Sequence, residues 1–430
     1  MGFFLKVFSA ILSCILPKKT FNQLIYKAKE TKKILNKTPQ TRLLIFVLTY
    51  PIVIVFDLLA GFIKLLMLWF LPDYLYSGLH FIFKLFIRDI TIDHRPFKLA
   101  FKRSLLCLEL FTKGAEKTKS FGDKNPDKTF YVLRPYYYLT RNALTENVSN
   151  LLMHYYRNLQ NLAYAIENGW IPVVDWQNYG PFPHGEDYPI NGTTNCWEYY
   201  WNQPSEYTLE EVYQSKNVIL SVQNTRDNKY VPSCSFQSPL QVYAEKLATD
   251  CPKYDSTITF NKYTEEYIDG KQAELFPKGK RILGVSVRGT SYGVCTTTNN
   301  VNGHPIQPEL SELIKSIRKR MQEWDMDYVF ITCELESIIL QIKDVLGDCV
   351  IFLPRTRYQK PPMRGDVEKK LDPLYLPGKK YQSNLDYLTE MVLLSRCNSL
   401  LAAMSSGVRA AIIWNRNQYE NMAIFDKGIW

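Results

Sequence analysis

Three places in the last third of the chain combine residue types that suit the handling of a phosphate-rich anion. The first is Val287-Arg288-Gly289-Thr290, where an apolar run of strand character ends on an arginine followed by glycine and hydroxyl residues, ahead of a loop that reaches Gly303-His304-Pro305. A guanidinium offers a permanent charge and forked donors matched to a diphosphate. An arginine at a strand end can equally serve as a structural ion-pair partner. The second place is Ala403-Met404-Ser405-Ser406-Gly407, a strand that leads through two serines into a helix. Free N–H groups at a helix start, helped by hydroxyls, bind anions, although plain N-capping by Ser405 or Ser406 explains the same pattern. The third is DYLTEMVLLS at 386–395, a helix whose Glu390 either borders a cleft or is a solvated surface acid.

Such groups are useful only where secondary structure brings them together. From residue 129 onward, short apolar strands alternate with helical stretches. The pattern predicts a strand at 130–133, a helix at 148–167 and a strand at 170–175, with further elements at 218–222 and 239–248. A second series follows, with strands at 281–287, 327–332, 350–353 and 399–403 and helices at 308–324, 334–346, 384–396 and 405–413. Regular alternation of this kind implies doubly wound parallel sheets, whose ligands sit at the carboxyl ends of strands. All three places fall there. Asp175 closes a strand in the first series and is the candidate base for activating an acceptor hydroxyl, with His184, Glu186 and Asp187 in the loop behind it; a loop-anchoring role for Asp175 is the competing reading. The stretch 176–205, dense in Gly, Pro, Asn and aromatics, is too long for a simple connection and reads as a functional loop.

The chain has 430 residues, a formal charge of +10, 14% aromatic residues and nine scattered cysteines with no C-x-x-C pair. Length alone implies two globular units with an appendage. The cysteine spacing suits reduced core residues rather than a disulfide framework or a zinc site, so no metal is expected. The positive charge implies an anionic partner, and the absence of any nucleic-acid-binding signature favours a membrane surface over nucleic acid.

The charge concentrates near the amino terminus. Residues 1–42 read as basic amphipathic helices, with Lys18, Lys19, Lys27, Lys29, Lys32, Lys33, Lys37 and Arg42 opposed only by Glu30 after residue 16. Residues 43–128 read as a membrane-associated helical region. The apolar run 43–71 is long enough to span a bilayer, yet Pro51, Asp57 and Lys64 interrupt it and both of its flanks are basic. These features favour a monotopic anchor on the cytoplasmic face over a single-pass segment or a buried core helix.

Taken together and in order, SVRGTSY at 286–292, HPIQPEL at 304–310, TEMVLLSRCNSLLAAMSSGVRAA at 389–411 and, more loosely, NCWEYYWNQP at 195–204 resemble the fucosyltransferase superfamily. That superfamily includes the core α1,6-fucosyltransferases, the nodulation fucosyltransferases and the protein O-fucosyltransferases. The resemblance covers roughly residues 147–430 and implies an α/β, GT-B-like fold, with an acceptor domain at 129–276 and a Rossmann-like nucleotide-sugar-binding domain at 277–430. It implies inverting, metal-independent transfer of a sugar, possibly fucose from GDP-fucose, to a glycan or a lipid-linked glycan. SVRGTSY stands against the family's H-x-R-R-T-D motif, so Arg288 matches the arginine that contacts the donor's β-phosphate. Ser405 and Ser406 match a hydroxyl pair on the diphosphate, Glu390 stands where the family has an acid, and Thr290 and His304 fall inside the matching motifs. Ser286, Gly289 and Ser291 depart from the family's His, Arg and Asp, which puts the identity of the donor in doubt. Two rival readings stay open: a non-catalytic membrane scaffold that keeps the fold, and a single-pass, Golgi-type transferase with usable sequons at Asn147 and Asn191.

Overall fold

The computed structural model describes residues 118–134, 150–178, 185–221, 230–233, 235–289, 304–359 and 378–429. The expected basic helices at 1–42 and most of the 43–128 region lie outside these residues. Among the described residues, no helix is long and apolar enough to cross a membrane.

The amino-terminal sheet has four strands, β1 (Thr118–Lys119), β2 (Phe130–Leu133), β3 (Ile171–Val174) and β4 (Val218–Leu220), in the order β1-β4-β2-β3. β2, β3 and β4 run parallel, and β1 pairs antiparallel with β4. Helix α1 (Leu151–Glu167) connects β2 to β3. Asn150 caps it by accepting from the Met153 amide, which places its start later than the apolar periodicity suggests. The apolar face of α1 is buried as expected, but His154, Asn158, Gln160 and Asn161 on its other sides are buried too, so the helix runs through the interior. Four further helices follow: α2 (Leu209–Val212), α3 (Leu240–Asp250), α4 (Pro252–Asp255) and α5 (Lys262–Leu275).

The carboxyl-terminal sheet is wholly parallel. It contains β5 (Ile282–Ser286), β6 (Tyr328–Thr332), β7 (Val350–Ile351), β8 (Ser399–Ala403) and β9 (Asn421–Phe425), in the order β7-β6-β5-β8-β9. Helices α6 (Leu310–Glu323), α7 (Glu336–Leu346), α8 (Lys380–Ser395) and α9 (Ser406–Asn415) connect the strands. β5 and β8 are buried along their whole length, as strands covered on both faces must be. Gly284 in β5 lets α8 approach closely: a side chain there would meet Leu394 Cδ1 at 2.8 Å.

A core of α6 and α7 covers one face of this sheet, with Leu313, Ile317, Ile338 and Ile342 at its centre. On the other face the core does not stop at the sheet. Leu388, Leu394, Val408 and Ile412 of α8 and α9 share one apolar cluster with Tyr155 and Leu159 of α1 and with Tyr243 and Leu247 of α3. The residues of both sheets therefore belong to one compact unit, 118–135 and 148–430, rather than to two separately cored lobes.

The stretch 195–203 differs from the functional loop expected there. Trp197 and Trp201 stack at 4.5 Å, Trp201 stacks on Tyr155 at 5.6 Å, and all three are buried. Its amide side chains finish the open edge of β3. The Val174 N–H donates to Gln203 Oε1 at 2.8 Å, while Gln203 Nε2 and Asn195 Nδ2 both donate to the Val174 carbonyl. The Val174 groups on this edge are thus satisfied by the chain's own side chains. Cys196, Cys251, Cys333 and Cys397 are buried and unbridged.

Candidate functional site

The order β7-β6-β5-β8-β9 reverses direction between β5 and β8, because the chain moves outward through β6 and β7 and then returns to the other side. Such a switch point opens a crevice at the carboxyl ends of the two strands. Arg288 lies two residues past β5, and Ser405 two residues past β8, with Ser286 of β5 in register with Ala402 of β8. Neighbouring strands sit about 4.8 Å apart, so the two segments leave the sheet side by side.

Arg288 is partly exposed. Its Nε lies 3.8 Å from Glu334 Oε1, with 17% of the arginine and 22% of the glutamate side chain accessible, and its amide donates to Gln307 Oε1 at 3.1 Å. Glu334 also accepts from the Gly289 amide at 3.0 Å, so this carboxylate holds the turn that presents the guanidinium. Gly289 has no room for a side chain: a Cβ would meet Leu335 Cβ at 2.6 Å and Cys333 Sγ at 2.9 Å. The departure from the family motif at this position is therefore built into the packing.

Ser405 is the N-cap of α9, accepting from the Val408 amide at 3.2 Å, and Ser406 is the first helical residue; both are buried. The capping reading thus holds for the Ser405 hydroxyl. The first i→i−4 bond of the helix runs from the Arg409 amide to the Ser405 carbonyl, so the Ser406 and Gly407 amides precede it. A helix start of this kind carries partial positive charge. Gly407 lets α9 approach α8, since a Cβ there would meet Met391 Sδ at 2.5 Å. Arg409, one turn in, is fully buried, with its guanidinium 4.4 Å from the Tyr156 ring and 4.7 Å from the Phe236 ring.

Three acids named from the sequence are committed elsewhere. Asp175 is wholly buried: Oδ1 accepts from the Gln177 and Asn178 amides at 3.1 and 2.8 Å, and Oδ2 accepts from Asn178 Nδ2 at 3.0 Å and the Tyr213 hydroxyl at 2.6 Å. With both oxygens accepting twice, no lone pair is left for a substrate hydroxyl. These contacts are those of the loop-anchoring reading of Asp175 rather than of a base. Glu390, expected to border a cleft or to meet solvent, is buried. It accepts from Arg355 Nη2 at 2.7 Å and from Arg357 Nη2. Glu186 reaches from the amino-terminal half to the start of α8, which has no cap of its own, and accepts from the Gly378 and Tyr381 amides, both at 2.9 Å. Asp187 is exposed. His304 sits 6.0 Å from the Phe236 ring. Thr290 and His184 lie outside the described residues.

Sequence reasoning missed Glu334, Arg355, Arg357 and Arg409. The signal for the first three was available: CELE at 333–336 directly follows β6 and LPRTR at 353–357 comes shortly after β7, close to the kind of position that singled out Arg288. Among the described residues, no group of three or more His, Cys, Asp or Glu could hold a metal ion. A hollow of about 400 Å³ lined by Asp269, Phe276, Lys278, Arg396 and Asn398 lies at the amino end of the sheet, where Ile282 opens β5, and is separate from these residues.

The arrangement is that of an α/β protein with a parallel sheet whose switch point carries a cation and a helix start. No protein-family model matches the chain, and no curated relative does. Among solved structures, the fold is similar to that of NodZ alpha-1,6-fucosyltransferase soaked with GDP-fucose, at 14% identity over 66% of this chain and 91% of that one, with a TM-score of 0.36. It is similar to fucosyltransferase NodZ from Bradyrhizobium, at 15% identity over 66% and 92%, with a TM-score of 0.35. It is also similar to POFUT1 in its apo form, at 10% identity over 71% and 99%, with a TM-score of 0.37.

Proposed function

We propose that the chain is a glycosyltransferase that takes a sugar from a nucleoside diphosphate, with the diphosphate seated between the ends of β5 and β8. The observation that carries this reading is the side-by-side exit of Arg288 and the α9 start from adjacent parallel strands at the switch point. Cleavage of the bond between the sugar's anomeric carbon and the β-phosphate oxygen leaves growing negative charge on that phosphate. A fixed guanidinium and pre-oriented amides stabilise such charge without reorganising. In this reading the parallel sheet forms the donor side of a GT-B-like arrangement, and the amino-terminal residues form the acceptor side. The motif likeness at 286–292 and 389–411 makes GDP-fucose the first donor to test. The basic, apolar amino terminus supports an acceptor held at an anionic membrane surface, such as a lipid-linked glycan. Flotation of the full chain with phosphatidylserine vesicles tests this part, and a chain that stays at the bottom of the gradient refutes it.

The donor reading is tested by thermal unfolding of the full chain with a panel of GDP- and UDP-sugars. A matching donor at about 100 times its Kd adds roughly 2.7 kcal/mol of stability. The shift is expected with one donor class and is expected to vanish in Arg288→Ala. An undiminished shift in that variant, or no shift with any nucleotide sugar, refutes the assignment. A second reading, a donor-binding scaffold without turnover, is favoured by the commitment of Asp175, Glu186 and Glu390 to structural bonds. Sugar release or transfer by the purified chain separates the two.

A further inference from the structure

Three neighbouring strands are each followed by a charged side chain. Arg288 follows β5, Glu334 follows β6, and Arg355 follows β7. The segment after β7 keeps company with the one after β6: the Tyr358 amide donates to the Glu334 carbonyl at 3.0 Å, the Glu336 amide to the Tyr358 carbonyl at 3.1 Å, and Arg357 Nε to the Cys333 carbonyl at 3.1 Å. Glu334 stands in the middle, 3.8 Å from Arg288 and close enough for its charge to act on Arg355.

Glu390 is shared. One of its oxygens takes Arg355 and the other takes Arg357, and all three side chains are buried. The two arginines differ in what they have left. Arg357 spends Nε on Cys333, Nη1 on the Arg355 carbonyl and Nη2 on Glu390. Arg355 spends Nη2 on Glu390 and Nη1 on the Thr356 carbonyl at 3.1 Å, while its buried Nε has no hydrogen-bond partner among the described residues. Asp386, whose charge also acts on Arg355, is already bonded to the Tyr267 hydroxyl at 2.8 Å and to Gln382 at 2.7 Å. A buried guanidinium with half a carboxylate and an unspent donor is costly unless an anion completes it.

We propose that Arg355 is a second cationic contact for the diphosphate bound beside Arg288, held in place by Glu390. This rests on the donor reading above. Arg357 in this scheme is a positioning residue for the same carboxylate.

The test is calorimetric binding of GDP, UDP, GMP and UMP to the full chain. In Arg355→Lys, the diphosphate that the wild type binds is expected to bind about 10- to 100-fold more weakly, the worth of a charged hydrogen bond, while its monophosphate changes much less. The pair R355Q with E390Q, which keeps shape and removes both charges, is expected to show the same selective loss if the single variant folds poorly. Arg357→Lys, which loosens Glu390 without removing the proposed contact, is expected to lower the ratio of diphosphate to monophosphate affinity less than Arg355→Lys does. Unchanged diphosphate binding in a folded Arg355 variant overturns the proposal and leaves the Arg288 reading standing, as does equal loss for both ligands. A wild type that binds neither diphosphate overturns both.

Discussion

Arg288 and Asp175 occupy equivalent places, each just past the carboxyl end of a parallel strand, yet the molecule treats them in opposite ways. Asp175 is sealed in with four hydrogen bonds, whereas the Arg288 side chain, 3.8 Å from Glu334, remains partly open. The amino-terminal sheet spends its strand ends on holding loops and an aromatic interior together. The carboxyl-terminal sheet leaves the Arg288 side chain at the end of β5 partly exposed. Position in the topology is thus necessary for a site but not sufficient; what decides is whether neighbouring side chains have already used the group's bonding capacity.

The largest expected effect follows from Asp175. Its replacement by alanine orphans the Tyr213 hydroxyl and the loop amides at once, which costs on the order of 4 kcal/mol at roughly 1–3 kcal/mol per stranded group. Arg288→Ala removes a partly exposed ion pair and is expected to cost less than Asp175→Ala does. Urea denaturation of the two variants checks the contrast, and equal losses would erase it.

A smaller effect comes from Asp255, buried at the junction of α1, α4 and α9. It accepts from the Tyr155 hydroxyl, which in turn accepts from Trp414 Nε1 at 2.9 Å. Burial pushes its carboxyl up to about 6, against the opposing hydrogen bond from Tyr155. The folded state therefore holds this proton more tightly than the unfolded state does, so its contribution grows as pH falls below about 6 and is lost as pH rises through that value. Relative to Asp255→Asn, the wild type should gain about 2 kcal/mol between about pH 7.5 and about pH 4.5. A pH-independent difference between the two proteins would show that the carboxyl titrates normally.

The smallest is Ser405→Ala, which removes the α9 cap and costs about 1 kcal/mol. If the helix start also receives the diphosphate, nucleotide affinity falls with it. A loss of stability with unchanged affinity would confine Ser405 to capping.

Much of the carboxyl-terminal sheet could be read from the sequence because strands buried on both faces are continuous apolar runs; the strand at 399–403 matches β8 residue for residue. β9 went unread because it is a half-buried edge strand, and α5 because only Thr264 and Ile268 of its residues are buried, leaving little periodicity to detect. The positional rule put Arg288 and the α9 start past the ends of neighbouring strands, where they lie. It could not foresee that Tyr213, 38 residues away, takes up Asp175, or that arginines 33 and 35 residues before Glu390 turn it inward. Those pairings belong to tertiary structure. The aromatic density at 195–201 was ambiguous for a related reason, since tryptophans that could stack on sugars stack on each other here.

The apolar cluster that runs from α1 and α3 into α8 and α9 has a consequence for how such a machine can breathe. Two lobes joined by a thin hinge can swing apart to admit a substrate, but here a swing would bare Tyr155, Leu159, Val408 and Ile412 to water. Entry and exit must then rely on local loosening of peripheral segments. A chain severed near residue 276 would give two fragments, each with a raw greasy flank and neither able to stand alone.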